Sequence, residues 1–490
     1  MRRTVLFFTA AAVAIAPSAV PAQYRGRTID PRYVAEAQRQ HPQVVAEFGG
    51  AETGPRGAYV NAVGQRVAAH SGLSNPGAAF RFTMLNSAVE NAFTVPGGYV
   101  YVTRQMMTLM DDESELAFAL GHEAAHIAAN HAQQREEVAR RNSRSAIAAR
   151  ILGGILGGSF GNAVAHRSQL SAKLQTLGFS REQEYQSDSL GIRYLVSAGY
   201  DPAGAPGILA AIGRATALEA RVQGQTNRQL PEWASTHPLN QNRIQRSFTE
   251  ARATGRLGTG VRNRDEFLDR LDGVYVDDDP EQGVIDGRTF SHPDLGMQFT
   301  VPVGYLMQNG TREVSVKGSA GQAEFSGGRY NGTLDSYVSG VLGQFTGSRQ
   351  QLYPQQVQRR VINGIPTAMA TIRAQTRSGM VDASIVAYQW APGTVYHFVL
   401  LTAGGTGLGP FWPMVQSVRK ITPAEAAQIR PRIIDVVTVR PSDTVRSLAG
   451  QMAYREFRLE RFLSLNGLTA NSTLRPGQKV KLVVFGARRA

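Results

Sequence analysis

One string, Gly121-His-Glu-Ala-Ala-His126, restricts this chain more than any other part of it. It follows Asp111 and Asp112, the acidic opening expected of a helix, and lies among the apolar Leu116, Ala119, Leu120 and Ala124. On a helix His122 and His126 are i and i+4, so both imidazoles leave one face and can grip one zinc ion. Glu123 then stands at the metal's edge, suited to take a proton from water there. The short pattern also arises by chance on surface helices, but the apolar setting predicts a buried helix face. A mononuclear catalytic site needs a third protein ligand and one open position.

The chain has no cysteine, which excludes thiolate ligands, disulfides, a cysteine nucleophile and a lipid anchor on cysteine. The candidate third ligand is Glu184, in Ser180-Arg-Glu-Gln-Glu184-Tyr-Gln-Ser-Asp188. Glu184 and Asp188 share a helix face, so one can bind metal while the other supports it. Glu182 points elsewhere, and spacing alone also allows all these acids to face solvent. His131, five residues past His126, lies about 140° round a continuing helix and is not expected to be a ligand. His237, in a loop after Trp233, can approach the site.

At 490 residues the chain is long for one core and implies two to four domains. Met1-Arg-Arg3, an apolar run from Thr4 to Ala16 and Val20-Pro-Ala22 match an export leader, too short to span a bilayer. The expected division is a signal peptide over 1–22, a catalytic domain over 23–280, an accessory α/β domain over 288–425 and a small module over 433–486. Strands are expected at Phe80–Leu85 and Tyr99–Thr103, and helices from Asp111 and from Ser180. The Ala146–Ala165 stretch, with glycines at 153, 154, 157, 158 and 161, reads as a flap or packing element, or a surface touching membrane or partner. The net charge is +14, from 52 basic and 38 acidic residues; 47 of the basic ones are arginines spread along the chain. Without a dense basic block, nucleic acid is not an expected partner.

Three segments in order, Asn91-Ala-Phe-Thr-Val-Pro-Gly-Gly-Tyr-Val-Tyr-Val-Thr103, GHEAAH and Glu184-Tyr-Gln-Ser-Asp188, are similar to the M48 (Ste24/HtpX-like) zinc metalloproteases, especially their soluble periplasmic members. The resemblance covers roughly residues 30–250. It implies that His122, His126 and Glu184 ligate zinc, Glu123 is the general base and Asp188 supports a ligand. Ser187 stands where the family usually has alanine. Thr236-His-Pro238 and Arg243 resemble a further family segment. There the histidine can cap the zinc in a latent state, and Arg243 is expected to stabilise the tetrahedral intermediate or hold the site closed. The upstream strand, Gly98, Tyr99, Val100, Tyr101 and Val102, is expected to accept an extended substrate along its edge.

The implied fold is multidomain α+β. A mainly helical zincin-type domain with a small edge-strand sheet precedes the accessory α/β domain and a βααβ module that resembles LysM. The LysM resemblance rests on Val439–Ala449, Phe462–Leu468 and Leu474–Val480, with Ser442 in place of the usual glycine. Residues 431–490 carry 11 basic and 4 acidic residues, a patch suited to an anionic surface, and LysM relatives bind glycans, so peptidoglycan is an expected partner. The implied function is a zinc endopeptidase of periplasmic quality control, acting on unfolded envelope proteins and in contact with outer-membrane assembly. The alternatives are a latent-zinc chaperone or envelope-binding protein, and a peptidoglycan hydrolase.

Overall fold

The structure is a computed structural model that describes residues 26–136, 179–222, 237, 241–346, 356–376 and 379–488. The leader-like residues 1–22 and the Ala146–Ala165 stretch lie outside these described residues. The architecture is multidomain α+β.

Helices α1 (Pro31–Glu47) and α2 (Pro55–Ala68) each begin on a proline, whose fixed φ suits a first helical turn. After the short α3 (Pro76–Ala79) come β1 (Arg81–Leu85), β2 (Ala92–Val95) and β3 (Tyr99–Thr103), then α4 (Arg104–Leu109) and α5 (Glu113–Ala128). The helical part continues with α6 (Arg181–Ser197), α7 (Gly204–Val222), α8 (Gln241–Ala253) and α9 (Arg264–Leu271). Every residue of α5 is buried, under α2, α6, α7 and β2. The motif helix is therefore the spine of the domain, as its apolar setting predicts.

The small sheet has the order β1-β3-β2 and corrects the expected substrate edge. Tyr101 pairs with Thr83 on one side and Phe93 on the other, so both edges of Tyr99–Val102 are taken. Gly97 and Gly98, at φ 120° and 95°, turn the chain back on itself. A Cβ on Gly98 would lie 1.9 Å from the Ala79 carbonyl oxygen, so this glycine serves a close approach of backbones. Of the two edge strands, β1 packs against α2 and β2 against α5.

Beyond α9 and β4 (Tyr275–Val276), the strands β5 (Val284–Asp286), β6 (Thr289–His292) and β7 (Met297–Thr300) join β15 (Arg419–Lys420) in a four-stranded sheet. A seven-stranded sheet combines β8 (Leu306–Asn309), β9 (Glu313–Gly318), β10 (Gly321–Arg329), β11 (Gln358–Ile362), β12 (Ile365–Thr376), β13 (Gly379–Ala391) and β14 (Thr394–Ala403). All its pairings are antiparallel, so the accessory region is α+β rather than the expected α/β. Helix α10 (Leu334–Thr346) packs on one face, and α11 (Trp412–Ser417) and α12 (Pro423–Gln428) follow.

The last unit runs β16 (Arg432–Thr438), α13 (Val445–Ala449), α14 (Arg458–Leu465) and β17 (Lys479–Phe485), the expected β-α-α-β order. It is not a separate module. Its sheet has the order β17-β16-β4, the third strand coming from the helical domain. Ile434, Val439, Leu448, Met452, Phe462, Val480 and Leu482 share one hydrophobic core with α2, α5, α6 and α7. Lys481, fully buried, donates to the carbonyls of Thr108 (3.0 Å) and Met110 (2.6 Å) and lies 3.2 Å from Asp111 Oδ1. A cation suits that spot, where α4 ends on unpaired carbonyls.

The expected basic patch is largely neutralised by the rest of the chain. Arg432, Arg455, Arg461, Lys479, Lys481 and Arg488 face Asp277, Asp286, Glu219, Asp269, Asp111 and Asp294. Charge counted over residues 431–490 alone misses these partners, which lie far away in sequence.

Candidate metal centre

The centre begins with the start of α5. Asp112 Oδ1 accepts from the backbone of Ser114 (3.0 Å) and Glu115 (3.2 Å), fixing the helix N-terminus. From there His122 and His126 project from one face, their Nε2 atoms 3.0 Å apart. Helix α6, started by a capping box between Ser180 and Gln183, crosses α5 at Gly191. A Cβ on Gly191 would meet the Phe118 ring at 3.2 Å and the His122 backbone nitrogen at 3.4 Å. The missing side chain lets α6 approach closely enough to deliver Glu184. Its Oε2 lies 3.5 Å from His122 Nε2 and its Oε1 3.5 Å from His126 Nε2.

These separations fit one ion, because atoms about 2.0–2.1 Å from a tetrahedral zinc lie roughly 3.4 Å from one another. His122, His126, Glu184 and His237 form a buried group with ligand atoms within 4.8 Å of each other. Glu123 is 1% exposed, and neither of its carboxylate oxygens has a hydrogen-bond partner among the described residues. An unbonded buried carboxylate is costly, and a neighbouring cation with a water molecule accounts for it.

The electrostatics follow from burial and close charges. Burial pushes the Glu123 carboxyl up to about 8. Burial acts on Glu184 in the same direction, but His237 and Arg243 overcome it and hold this carboxyl well below the usual range. His126 is held well below its ordinary value, first by burial and then by His122, which favours the neutral imidazole that binds metal. His122 is raised, because its bonds to Asp188 and Glu184 outweigh burial.

Asp188 takes the supporting place, with Oδ1 3.0 Å from His122 Nδ1, the nitrogen turned away from the ligand cluster. Arg243 packs against both carboxylates of the site. Its Nε and Nη2 donate to the two Asp188 oxygens at 2.7 and 2.8 Å, and Nη1 lies 2.8 Å from Glu184 Oε2. At 1% exposure, this fork is buried against both carboxylates. His237 Nδ1 is 2.9 Å from Glu184 Oε1, and its Nε2 is 3.4 Å from Glu123 Oε1.

Two contributors escape spacing arguments. The helix ends at Ala128 and Asn130 turns left-handed at φ 56°, so His131 swings back instead of continuing round the helix. Its Nδ1 comes to 3.0 Å from His126 Nδ1, and Nε2 to 2.8 Å from Gln186 Oε1. The asparagine just past the last apolar helical residue was the available signal. Phe179, next to the Ser180 cap, stacks on His126 with ring centroids 3.7 Å apart. Asp188→Asn and His131→Ala are each expected to weaken zinc binding by about 10- to 100-fold, measured by competition with a chromophoric chelator.

The profile of peptidase family M48 matches residues 55–249, a span that holds both histidines, Glu123, Glu184, Asp188, His237 and Arg243. Residues 55–249 are an M48 peptidase domain. The chain is 31% identical over 198 residues to a putative beta-barrel assembly-enhancing protease of Vibrio cholerae, covering 40% of this chain and 39% of that one. It is 28% identical over 192 residues to the beta-barrel assembly-enhancing protease of Escherichia coli, covering 38% and 37%. Mitochondrial metalloendopeptidase OMA1 of Schizosaccharomyces pombe is 28% identical over 213 residues, covering 43% and 58%. The match thus spans little more than a third of the length of the bacterial relatives. M48 metalloproteases use zinc, and the donor set of this M48 domain suits that ion.

Proposed function

We propose that the chain is a zinc metalloendopeptidase that cleaves unfolded or misassembled cell-envelope proteins. The observation that carries the reading is the carboxylate of Glu123, without a hydrogen-bond partner among the described residues and buried beside the convergent His122, His126 and Glu184. When bound, zinc would supply the Lewis acid that polarises the scissile carbonyl and acidifies water. Glu123 takes a proton from the attacking water onto its carboxylate and later hands it to the leaving amine nitrogen. Asp188 and Arg243 keep His122 and Glu184 oriented throughout.

The substrate is proposed to lie extended along β2, the edge strand beside α5. A small, mainly apolar cavity of about 50 Å³ opens there, lined by Phe93, Pro96, Ile127, Ala132, Phe179 and His126. It favours one apolar side chain next to the scissile bond. Mass spectrometry of casein digests is expected to show apolar residues enriched at one position flanking the cut, and an unbiased position would count against this cavity.

The proposed compartment is the periplasm, on the leader-like N-terminus and in keeping with the names of the bacterial relatives. Among the described residues no helix is long and apolar enough to cross a membrane. Casein digestion with zinc analysis tests the activity, and hydrolysis that survives complete zinc removal would sink it.

A second reading, a latent site, is favoured by His237 lying within the ligand group. In that state His237 holds the position that water and substrate need. His237→Ala is then expected to digest casein faster than the wild type at equal zinc content. Equal or slower digestion would leave His237 no inhibitory role.

A further inference from the structure

The seven-stranded sheet has one apolar face and one divided face. Val314, Val316, Ala323 and Phe325 point into a core on the first. On the second, α10 buries Ala370, Ile372, Ala383 and Ile385 on β12 and β13. Over β10, β9 and β8 this second face turns polar, with Ser315 and Lys317 opposite Glu324 and Gln322. This strip forms one wall of a groove of about 850 Å³. The other wall comes from the M48 side, namely the end of α1 (Gln43, Glu47, Phe48) and residues 87–89. Thr311 Oγ1 donates to the Glu47 carbonyl at 3.2 Å, tying the two walls together. Residues 87–89 lead within three positions into Ala92, the first residue of β2.

We propose that this groove is an exosite for an extended, hydrophilic stretch of the same polypeptide whose scissile segment lies along β2. The inference rests on the endopeptidase reading and adds where the substrate is held. Amide and hydroxyl groups line both walls beside apolar surface of similar extent, and they offer both donors and acceptors, which suits peptide groups. Charges of both signs, Lys317 and Arg312 with Glu47, Glu313 and Glu324, leave no single-sign field for nucleic acid or anionic lipid. Among the described residues Phe48 is the one aromatic ring in the lining, which gives sugars little stacking surface. The volume lies within the range of built ligand sites, roughly 300–1,000 Å³. A chain engaged at both places gains from the second contact at high effective concentration.

The test fills the groove from either wall, with Gln322→Trp on the sheet and, independently, Gln43→Trp on α1. Both positions are partly or fully exposed, and neither touches the metal centre. Each variant is expected to raise KM for unfolded casein about tenfold, with kcat and the hydrolysis of a short fluorogenic peptide unchanged. Unchanged KM for casein in both variants overturns the proposal, and so does an equal loss on both substrates. Binding of labelled casein to Glu123→Gln protein, with and without each tryptophan, reads the groove without catalysis. Weakened binding by the tryptophan variants supports the exosite even if the wild type proves inactive, which separates its failure from that of the endopeptidase reading. Casein binding that ignores both substitutions overturns it.

Discussion

Glu123→Gln is expected to lower casein hydrolysis by about 10³-fold or more while zinc content and thermal stability stay close to wild type. General acid–base groups typically contribute about 10²–10⁴-fold, and here one carboxylate serves both proton transfers. The amide keeps the shape of the carboxylate but can neither take a proton from water nor return one to the leaving amine. Among the described residues no other carboxylate is poised to substitute. Glu184 is committed to the ligand cluster and Asp188 to Arg243 and His122. Burial also penalises the charged Glu123, so its neutral replacement should fit without strain. Steady-state kinetics, zinc analysis and a melting curve on one preparation decide the matter. Undiminished cleavage would remove Glu123 from the mechanism, whereas a loss of zinc along with activity would assign it a role in holding the metal.

Removing residues 431–490 is expected to unfold the M48 domain as well, rather than leave a protease without its tail. The deletion strips β16 from β4 and breaks the backbone bonds from Gly273 to Ile434 and from Ile434 to Val274. It uncovers Phe267, Leu268, Leu271 and Val274, all buried in the common core. Each fully buried large apolar side chain is worth about 1.5–3 kcal/mol, and a domain's whole margin is only about 5–15 kcal/mol. A single change samples the same junction. Lys481→Met leaves Asp111 and the carbonyls of Thr108 and Met110 facing a methyl group, at a cost of about 3–5 kcal/mol if the carboxylate stays charged. Soluble yield and thermal unfolding of the two proteins are the measurements. A truncated chain that melts like the full one would make the last unit a detachable module after all.

The charge pairing across that junction also changes what the last unit can do. With Arg432, Arg455, Arg461, Lys479, Lys481 and Arg488 facing acids elsewhere in the chain, long-range attraction to an anionic envelope surface is much weaker than the composition of residues 431–490 suggests. Exposed pairs such as Arg455 with Asp286 add little stability, but they do offset charge.

The sequence by itself determined the elements whose logic is local. Two histidines one helical turn apart, an acid between them, and Glu184 four residues before Asp188 carry the same meaning in any chain, because a helix repeats every 3.6 residues. The apolar setting of Gly121–His126 likewise announced burial, and turn-forming glycines announced β3. What only the tertiary structure decided depends on partners far apart in sequence. Which strand of the small sheet is paired on both sides follows from how β1 and β2 flank β3, and no spacing encodes that choice. Asn130 redirected His131 onto His126, an outcome set by one left-handed residue rather than by periodicity. Lys481 found Thr108 and Met110 more than 370 residues away, since a buried amine must be satisfied wherever acceptors converge. That contact made the last unit part of the M48 core, where its sequence alone reads as an independent domain.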